Sequence, residues 1–392
     1  MSPNENDLRS HSIPIELIFE ILLRLPVKSL LRLRCVSRSW KSLISSPSFV
    51  KLHLQRSPKN TNFLLMGINL DPIVVLSYTL QSLMKKAKKI PFFEQSLGFS
   101  EDFTHCHRVS GSINGLICLS SIVSFETRYK MYDVRLWNPA TRLLSKASPP
   151  LLIENKFSVF AMFGFGYDDS TDTYKVVANI VDRREWRNEL RVYSRSDTCW
   201  RTVSTSPGLL LSWEEPQFVC NSFNWLAVKP SGPIDRKQIH RLEYTYDDYV
   251  IFSLDAGEKA QKLLQMPPDL DNYNRQEPKV VVLKEHLCIF CDFEGTHFVV
   301  WQMEEFGVED SWTTLMYVSY LSLQVDACKC SFYNYSNFNM SEDGNYLLMY
   351  NERDSLLIVY DKRVKEVSTC INLCKHVWAG VNGYVQSLVS PE

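Results

Sequence analysis

Six short runs of β-branched and aliphatic residues, each ending on an aromatic ring, recur through this chain at nearly constant spacing. They are Val75-Leu76-Ser77-Tyr78, Val134-Arg135-Leu136-Trp137, Leu190-Arg191-Val192-Tyr193, Val250-Ile251-Phe252, Val299-Val300-Trp301 and Leu357-Ile358-Val359-Tyr360. Their ends fall at 78, 137, 193, 252, 301 and 360, so the intervals are 59, 56, 59, 49 and 59 residues. Most runs are preceded by a hairpin signal, at Asn114-Gly115, 168–172, 221–224 and 342–345. Several are followed by a turn and another apolar start: Asn138-Pro139 to Leu143, 194–198 to Trp200, and 255–258 to Leu263. About four strands repeating every ~50 residues is what a β-propeller blade requires, and the count predicts about six to seven blades. A β-sandwich with evenly spaced strands is the alternative.

The segment from Ile13 to Leu54 has a different period. Pro14 suits a first helical turn, and Glu16 sits where a helix dipole favours an acid. Leu17, Ile18, Ile21, Leu22 and Leu25 form one apolar stripe at helical spacing, and Pro26 stops that helix. A second run carries Leu30, Leu31, Leu33 and Val36. Ser37 is the N-cap of a third, which holds Trp40, Leu43 and Ile44 and ends before Pro47. Three helices this short bury less apolar surface among themselves than they carry, so the remainder calls for a partner. From Glu16 to Arg56 the acids are Glu16 and Glu20. The bases are Arg24, Lys28, Arg32, Arg34, Arg38, Lys41, Lys51 and Arg56. The whole chain is balanced, with 43 bases against 44 acids. Only this end is basic, which suits an acidic partner surface, and the overall balance argues against general nucleic-acid binding.

This segment resembles the F-box. The carrying strings are Ile13-Pro14-Ile15-Glu16, Leu25-Pro26-Val27-Lys28-Ser29-Leu30, Cys35-Val36-Ser37-Arg38-Ser39-Trp40 and Leu43-Ile44. The resemblance implies docking on the Skp-type adaptor of a cullin–RING ubiquitin ligase. The implied contact face is Pro14, Leu17, Ile18, Ile21, Leu22, Leu25, Pro26, Leu30, Val36, Trp40, Leu43 and Ile44, with Trp40 as the foremost anchor. The reading from amphipathicity alone is a helical hairpin buried against the rest of its own chain.

The larger part resembles the F-box-associated domain of plant F-box proteins of the kelch-like and S-locus type. Its strings are Gly111-Ser112-Ile113-Asn114-Gly115-Leu116-Ile117-Cys118, Leu136-Trp137-Asn138-Pro139-Ala140-Thr141-Arg142, and Gly164-Phe165-Gly166-Tyr167-Asp168 leading to Tyr174-Lys175-Val176-Val177. Val192-Tyr193-Ser194 with Cys199-Trp200-Arg201, Trp301-Gln302-Met303 with Gly307-Val308 and Ser311-Trp312, and Tyr384-Val385-Gln386-Ser387-Leu388 complete the set. One departure is that the family's Asn-Gly-x-x-His-Trp stands here as Asn221-Ser222-Phe223-Asn224-Trp225, which alters a turn. The paired glycines of true kelch repeats do not recur.

The expected organisation is therefore α+β and multidomain. A disordered tail spans 1–12, a three-helix F-box 13–56, and an all-β, propeller-like substrate-recognition domain 57–390. The polar opening lacks a signal peptide's apolar stretch, and no run approaches the ~20 apolar residues of a membrane span. Eleven cysteines then belong in a reducing compartment as free thiols, and the expected location is cytoplasmic or nuclear. No Gly-x-Ser-x-Gly elbow or P-loop occurs. Gly164-Phe165-Gly166 lacks a third glycine and a following helix. The paired acids Asp168-Asp169 and Asp247-Asp248 read as solvated turns. Cys288 and Cys291, three apart in a strand, face opposite sides and cannot share a metal. Cys328 with Cys330, Cys370 and Cys374 with His376, and His105-Cys106-His107 read as ordinary buried or solvated groups. No cofactor, metal or catalytic residue is expected. The expected function is a substrate-recognition subunit of a Skp–cullin–F-box ubiquitin ligase, with a non-degradative scaffold as the alternative and a propeller enzyme as a third reading. Candidate target-binding loops are 126–132, 183–188, 229–240 and 267–278.

Overall fold

The computed structural model describes residues 13–56, 61–67, 75–85, 107–185, 187–204, 209–229, 248–268, 277–293, 295–323, 335–351, 353–372 and 378–392. Four helices open it: α1 (Ile15–Leu22), α2 (Val27–Leu33), α3 (Arg38–Ser45) and α4 (Pro47–Arg56). The first three stand where proline and serine spacing put them. The Ser37 hydroxyl accepts from the Trp40 backbone N–H at 3.2 Å, which caps α3. The fourth helix is a correction. Pro47 ends α3 and also occupies the first position of α4, while Ser46 Oγ accepts from the Phe49 N–H at 3.3 Å. A proline that stops one helix can begin another, because its missing N–H costs nothing in a first turn.

Among the described residues the rest is mainly six antiparallel sheets, with a short helix at Leu80–Lys85. Blade 2 is built on His107–Ile113, Leu116–Phe125 and Tyr129–Asn138, and blade 3 on Val159–Asp168, Thr173–Asp182, Arg187–Ser194 and Arg201–Val203. Blade 4 centres on Ser222–Val228 and Tyr249–Asp255. Blade 5 runs from Lys279–Leu283 to Trp312–Ser319, and blade 6 from Tyr335–Met340 to Glu366–Asn372. Blade 1 joins chain-distant pieces, with Thr61–Gly67 lying between Val75–Thr79 and Trp378–Val385 in register Asn62↔Tyr384. The innermost strands of successive blades touch in order, and blade 6 returns to Trp378–Val385. This is a closed ring, so the fold is a β-propeller and the sandwich alternative falls.

All six aromatic-ended runs occupy one structural position, the third strand out from the axis. Core layers lie between neighbouring blades. Strands covered on both faces are buried almost throughout, as in Ser222–Val228. Cys288 packs into the layer between blades 5 and 6, and Cys291 into the layer between blades 4 and 5. They point opposite ways, as their spacing requires.

Up-and-down connectivity sorts the turns onto two ends of the ring. Turns between first and second strands, and between third and fourth, share one end. The described second-to-third turns and the strand ends that lead from blade to blade share the other. The helices sit on the first end. Their core includes Leu388 and touches Ala140 of the 139–142 turn, and Lys51 pairs with Asp172 at 3.4 Å.

Candidate docking faces

The helical module fills its own centre with Leu22, Leu23, Val27, Leu30, Ile44 and Phe49. Phe19 meets Phe49 edge-on at 5.4 Å, and Phe49 stacks on His53. Buried His53 reaches the Leu25 carbonyl through Nε2 at 2.9 Å and ties α4 to the end of α1. Leu22, Leu30 and Ile44, at 1%, 0% and 0% exposure, therefore lie inside the module and not on a docking surface. The sequence stripe was wider than the exposed stripe because α4 contributes Phe49 to cover its inner edge.

What stays outside is clear. Leu17 and Ile21, one turn apart on α1, are 55% and 53% exposed, and Val36 is 65% exposed. Pro14 and Pro26 are exposed, while Ile18, Leu25, Trp40 and Leu43 are half-buried on the module's core. Ile13 and Ile15 also stand open. Both precede the first position of the helical stripe and belong to the opening Ile-Pro-Ile-Glu string. Arg24, Lys28, Arg32, Arg38 and Lys41 surround these groups with exposed positive charge. The Arg56–Glu20 pair, at 2.9 Å, is exposed and contributes little, on the order of 0–1 kcal/mol.

The module is bolted to the ring through the Trp137-Asn138-Pro139 string. The Asn138 side chain is fully buried. Its Nδ2 donates to the Ser387 carbonyl at 3.1 Å and the Val389 carbonyl at 2.7 Å. Its Oδ1 accepts from the N–H groups of Ala140 at 2.9 Å and Thr141 at 3.2 Å. One amide thus holds the 387–389 segment against blade 2, and Leu388 of that segment enters the helical core. Gly115 lets the segment pass, since a Cβ there would lie 2.3 Å from Ser387 Oγ.

The described parts of the candidate target-binding loops lie at the opposite end of the ring. Of 126–132, residues from Tyr129 onward are strand, paired to Leu151–Glu154. Of 183–188, the turn precedes Arg187–Ser194. In 229–240 only Lys229 is described, and 269–276 lie outside the described residues, as do Asp247, Cys328, Cys330, Cys374, His376, His105 and Cys106. A cavity of about 510 Å³ runs along the axis, lined by Arg108, Ser110, Glu214, Glu215, Gln217, Lys279, Asn337 and Asn339 among others. Its charges are matched: Arg108 lies 3.6 Å from Glu215, and Lys279 lies 3.4 Å from Glu214 and donates to the Tyr335 carbonyl at 2.9 Å. Burial, reinforced by Glu214, pushes the nearby Glu277 carboxyl up to about 7.

Asp168 corrects the solvated-pair reading. It is fully buried and accepts from Ser170 Oγ and Thr171 Oγ1, both at 2.7 Å, so it braces its own turn while Asp169 stays exposed. The altered Asn221 turn is also explained. Cys220 and Asn221 both take left-handed backbone, with φ of 48° and 57°, and Ser222 already begins the next strand. Among the described residues, no group of three or more potential metal ligands converges, seven cysteines are free, and no helix is long and apolar enough to cross a membrane.

A model of the F-box domain matches residues 11–52, and a model of the F-box associated beta propeller domain matches residues 59–391. An F-box/kelch-repeat protein of Arabidopsis thaliana is 28% identical over 78% of this chain and 79% of its own length. The F-box protein CPR1 of the same plant is 27% identical over 78% of this chain and 73% of its own. Among solved structures, a chain of a nidogen/laminin complex is similar at a TM-score of 0.39 and 10% identity, over 83% of this chain and 99% of that one.

Proposed function

The chain belongs to the F-box proteins that carry an F-box associated β-propeller domain, and on that premise we propose that it is the substrate receptor of a Skp–cullin–F-box ubiquitin ligase. The observation that carries this reading is the open apolar stripe of Leu17 and Ile21 on a module whose core is already complete. Nothing in the described chain covers the stripe, and its basic rim suits an acidic adaptor helix. The ring's far end then faces a target polypeptide. The contribution to catalysis is proximity: the target is held near the ubiquitin-charged enzyme, and the chain supplies no reacting group. Such a receptor works in the cytosol or nucleus, where adaptor and cullin meet it.

The test is co-purification of the intact chain with a Skp-type adaptor and cullin. Leu17→Asp with Ile21→Asp puts two charges into the stripe without touching the core, and adaptor and cullin should both be lost while the propeller stays folded. Undiminished capture refutes the docking face. Capture of adaptor without cullin favours the non-degradative scaffold.

A further inference from the structure

A second cavity, of about 170 Å³, opens at the end of the ring opposite the helices, between blades 3 and 4. Its floor is aliphatic: Val181, Leu210, Leu211, Ala227 and Val228. The size fits one side chain of a visiting polypeptide, not a cofactor. The walls are rigidly set. Buried Asn179 donates to the Ser212 carbonyl at 3.1 Å, and the Asn188 side chain donates to Asn179 Oδ1 at 2.9 Å and accepts from the Leu211 N–H at 3.2 Å. These bonds hold the 210–213 stretch against blade 3 and so fix Trp213 at the rim.

Two arginines stand at the mouth. The Arg183 guanidinium lies 4.1 Å from the Trp213 ring centre and 4.8 Å from that of Phe160, which orients it without neutralising it. Arg187 is exposed beside it. Neither side chain has a carboxylate partner among the described residues. The two acids in the wall do not serve as one. Asp182 stays ionised, but its Oδ1 accepts from the Arg184 and Glu185 N–H groups at 3.0 and 3.3 Å, which turns the carboxylate into its own turn and away from both arginine side chains. Glu277 is held up to about 7 by burial, with Glu214 adding to the shift, so it carries only part of a charge at neutral pH.

We propose that this pocket reads a short acidic segment of the target protein, seating one Leu-sized side chain on the aliphatic floor and an adjacent carboxylate between Arg183 and Arg187. The inference rests on the substrate-receptor reading and names what that receptor recognises. Unpaired cations over an apolar socket are complementary to that pair of groups and to neither alone.

The probe is a set of labelled hexapeptides in which Leu is followed by Asp, Asn or Lys, titrated against the full chain with and without adaptor. The Leu-Asp peptide should bind best. Arg183→Ala and Arg187→Ala should each weaken it about tenfold, with less effect on Leu-Asn. Arg183→Glu with Arg187→Glu should reverse the order in favour of Leu-Lys. Both arginines are exposed, and adaptor capture, read on the same preparations from the opposite end of the ring, should not change. No acidic preference at millimolar peptide, or a preference that survives the charge reversal, overturns the pocket's role and leaves the ligase reading standing. Loss of adaptor capture in the wild-type chain sinks the ligase reading independently of what the peptides do.

Discussion

Replacing Asn138 tests how the helical module is held. Its side chain makes four hydrogen bonds to backbone groups, two given to the 387–389 segment and two received from its own turn. Asn138→Ala leaves those four groups without that partner around a fully buried side-chain position, with Ala140, Thr141 and Val389 only partly screened from water. A fully buried unsatisfied group costs about 1–3 kcal/mol, so keeping the native arrangement with these four would cost on the order of 4 kcal/mol or more. A cheaper route exists, because the 386–392 segment can detach and find water. That route sacrifices the burial of Leu388, roughly 2–3 kcal/mol, along with the lost bonds. The expected result is therefore local opening at about 3–4 kcal/mol, not global unfolding. Hydrogen exchange reads it directly: the amides of 387–389 should lose protection while Thr173–Asp182 keeps its own. Asn138→Asp separates the two halves of the bracket. It still accepts from Ala140 and Thr141, yet sets a carboxylate against two carbonyls, so the segment should open at least as far as in the alanine variant. Native protection of 387–389 in Asn138→Asp would refute the donor role and with it the account of how the module is fastened.

Other outcomes follow from the same structure. Leu30→Ala should cost about 2–5 kcal/mol in urea unfolding of the helices because Leu30 is core, whereas Leu17→Ala should stay within about 0.5 kcal/mol because Leu17 faces solvent. Gly115→Ala meets both a left-handed φ of +78° and Ser387, and should destabilise by more than Gly307→Ala, whose added Cβ enters open space. Glu277 carries a pH signature. Its folded carboxyl titrates near 7 against an ordinary 4.5, so its contribution is fully present below 4.5 and is lost as pH rises through 7, by up to about 3 kcal/mol. Glu277→Gln should flatten that part of the stability profile measured from pH 4 to 8, and an unchanged slope would count against the burial argument.

Much of the ring was legible because third strands are sandwiched between blades and end at comparable depths, which leaves a periodic mark in sequence. Tyr78, although its blade is assembled from distant pieces, fits the same spacing as Trp137 and Tyr360. The exposed apolar stripe was only half legible. Helical period says that Leu17, Ile21, Leu22 and Leu30 are apolar on related faces. It does not say which neighbour covers each. Phe49 of α4 closes over the inner ones, and that helix was hidden behind a proline read only as a stop. Arg183 over Trp213, and the bonds from Asn179 and Asn188 of one hairpin to the 211–212 backbone, join residues of neighbouring blades, and no local pattern marks such meetings.

The blade that seals the propeller takes its middle strand from Thr61–Gly67 and its innermost strand from Trp378–Val385, more than 300 residues later. Until that late strand arrives, Thr61–Gly67 offers a row of bare amides and carbonyls to any passing chain. A version shortened before Trp378 should therefore behave as an open, self-adhering arc whose failing is not lost recognition but aggregation.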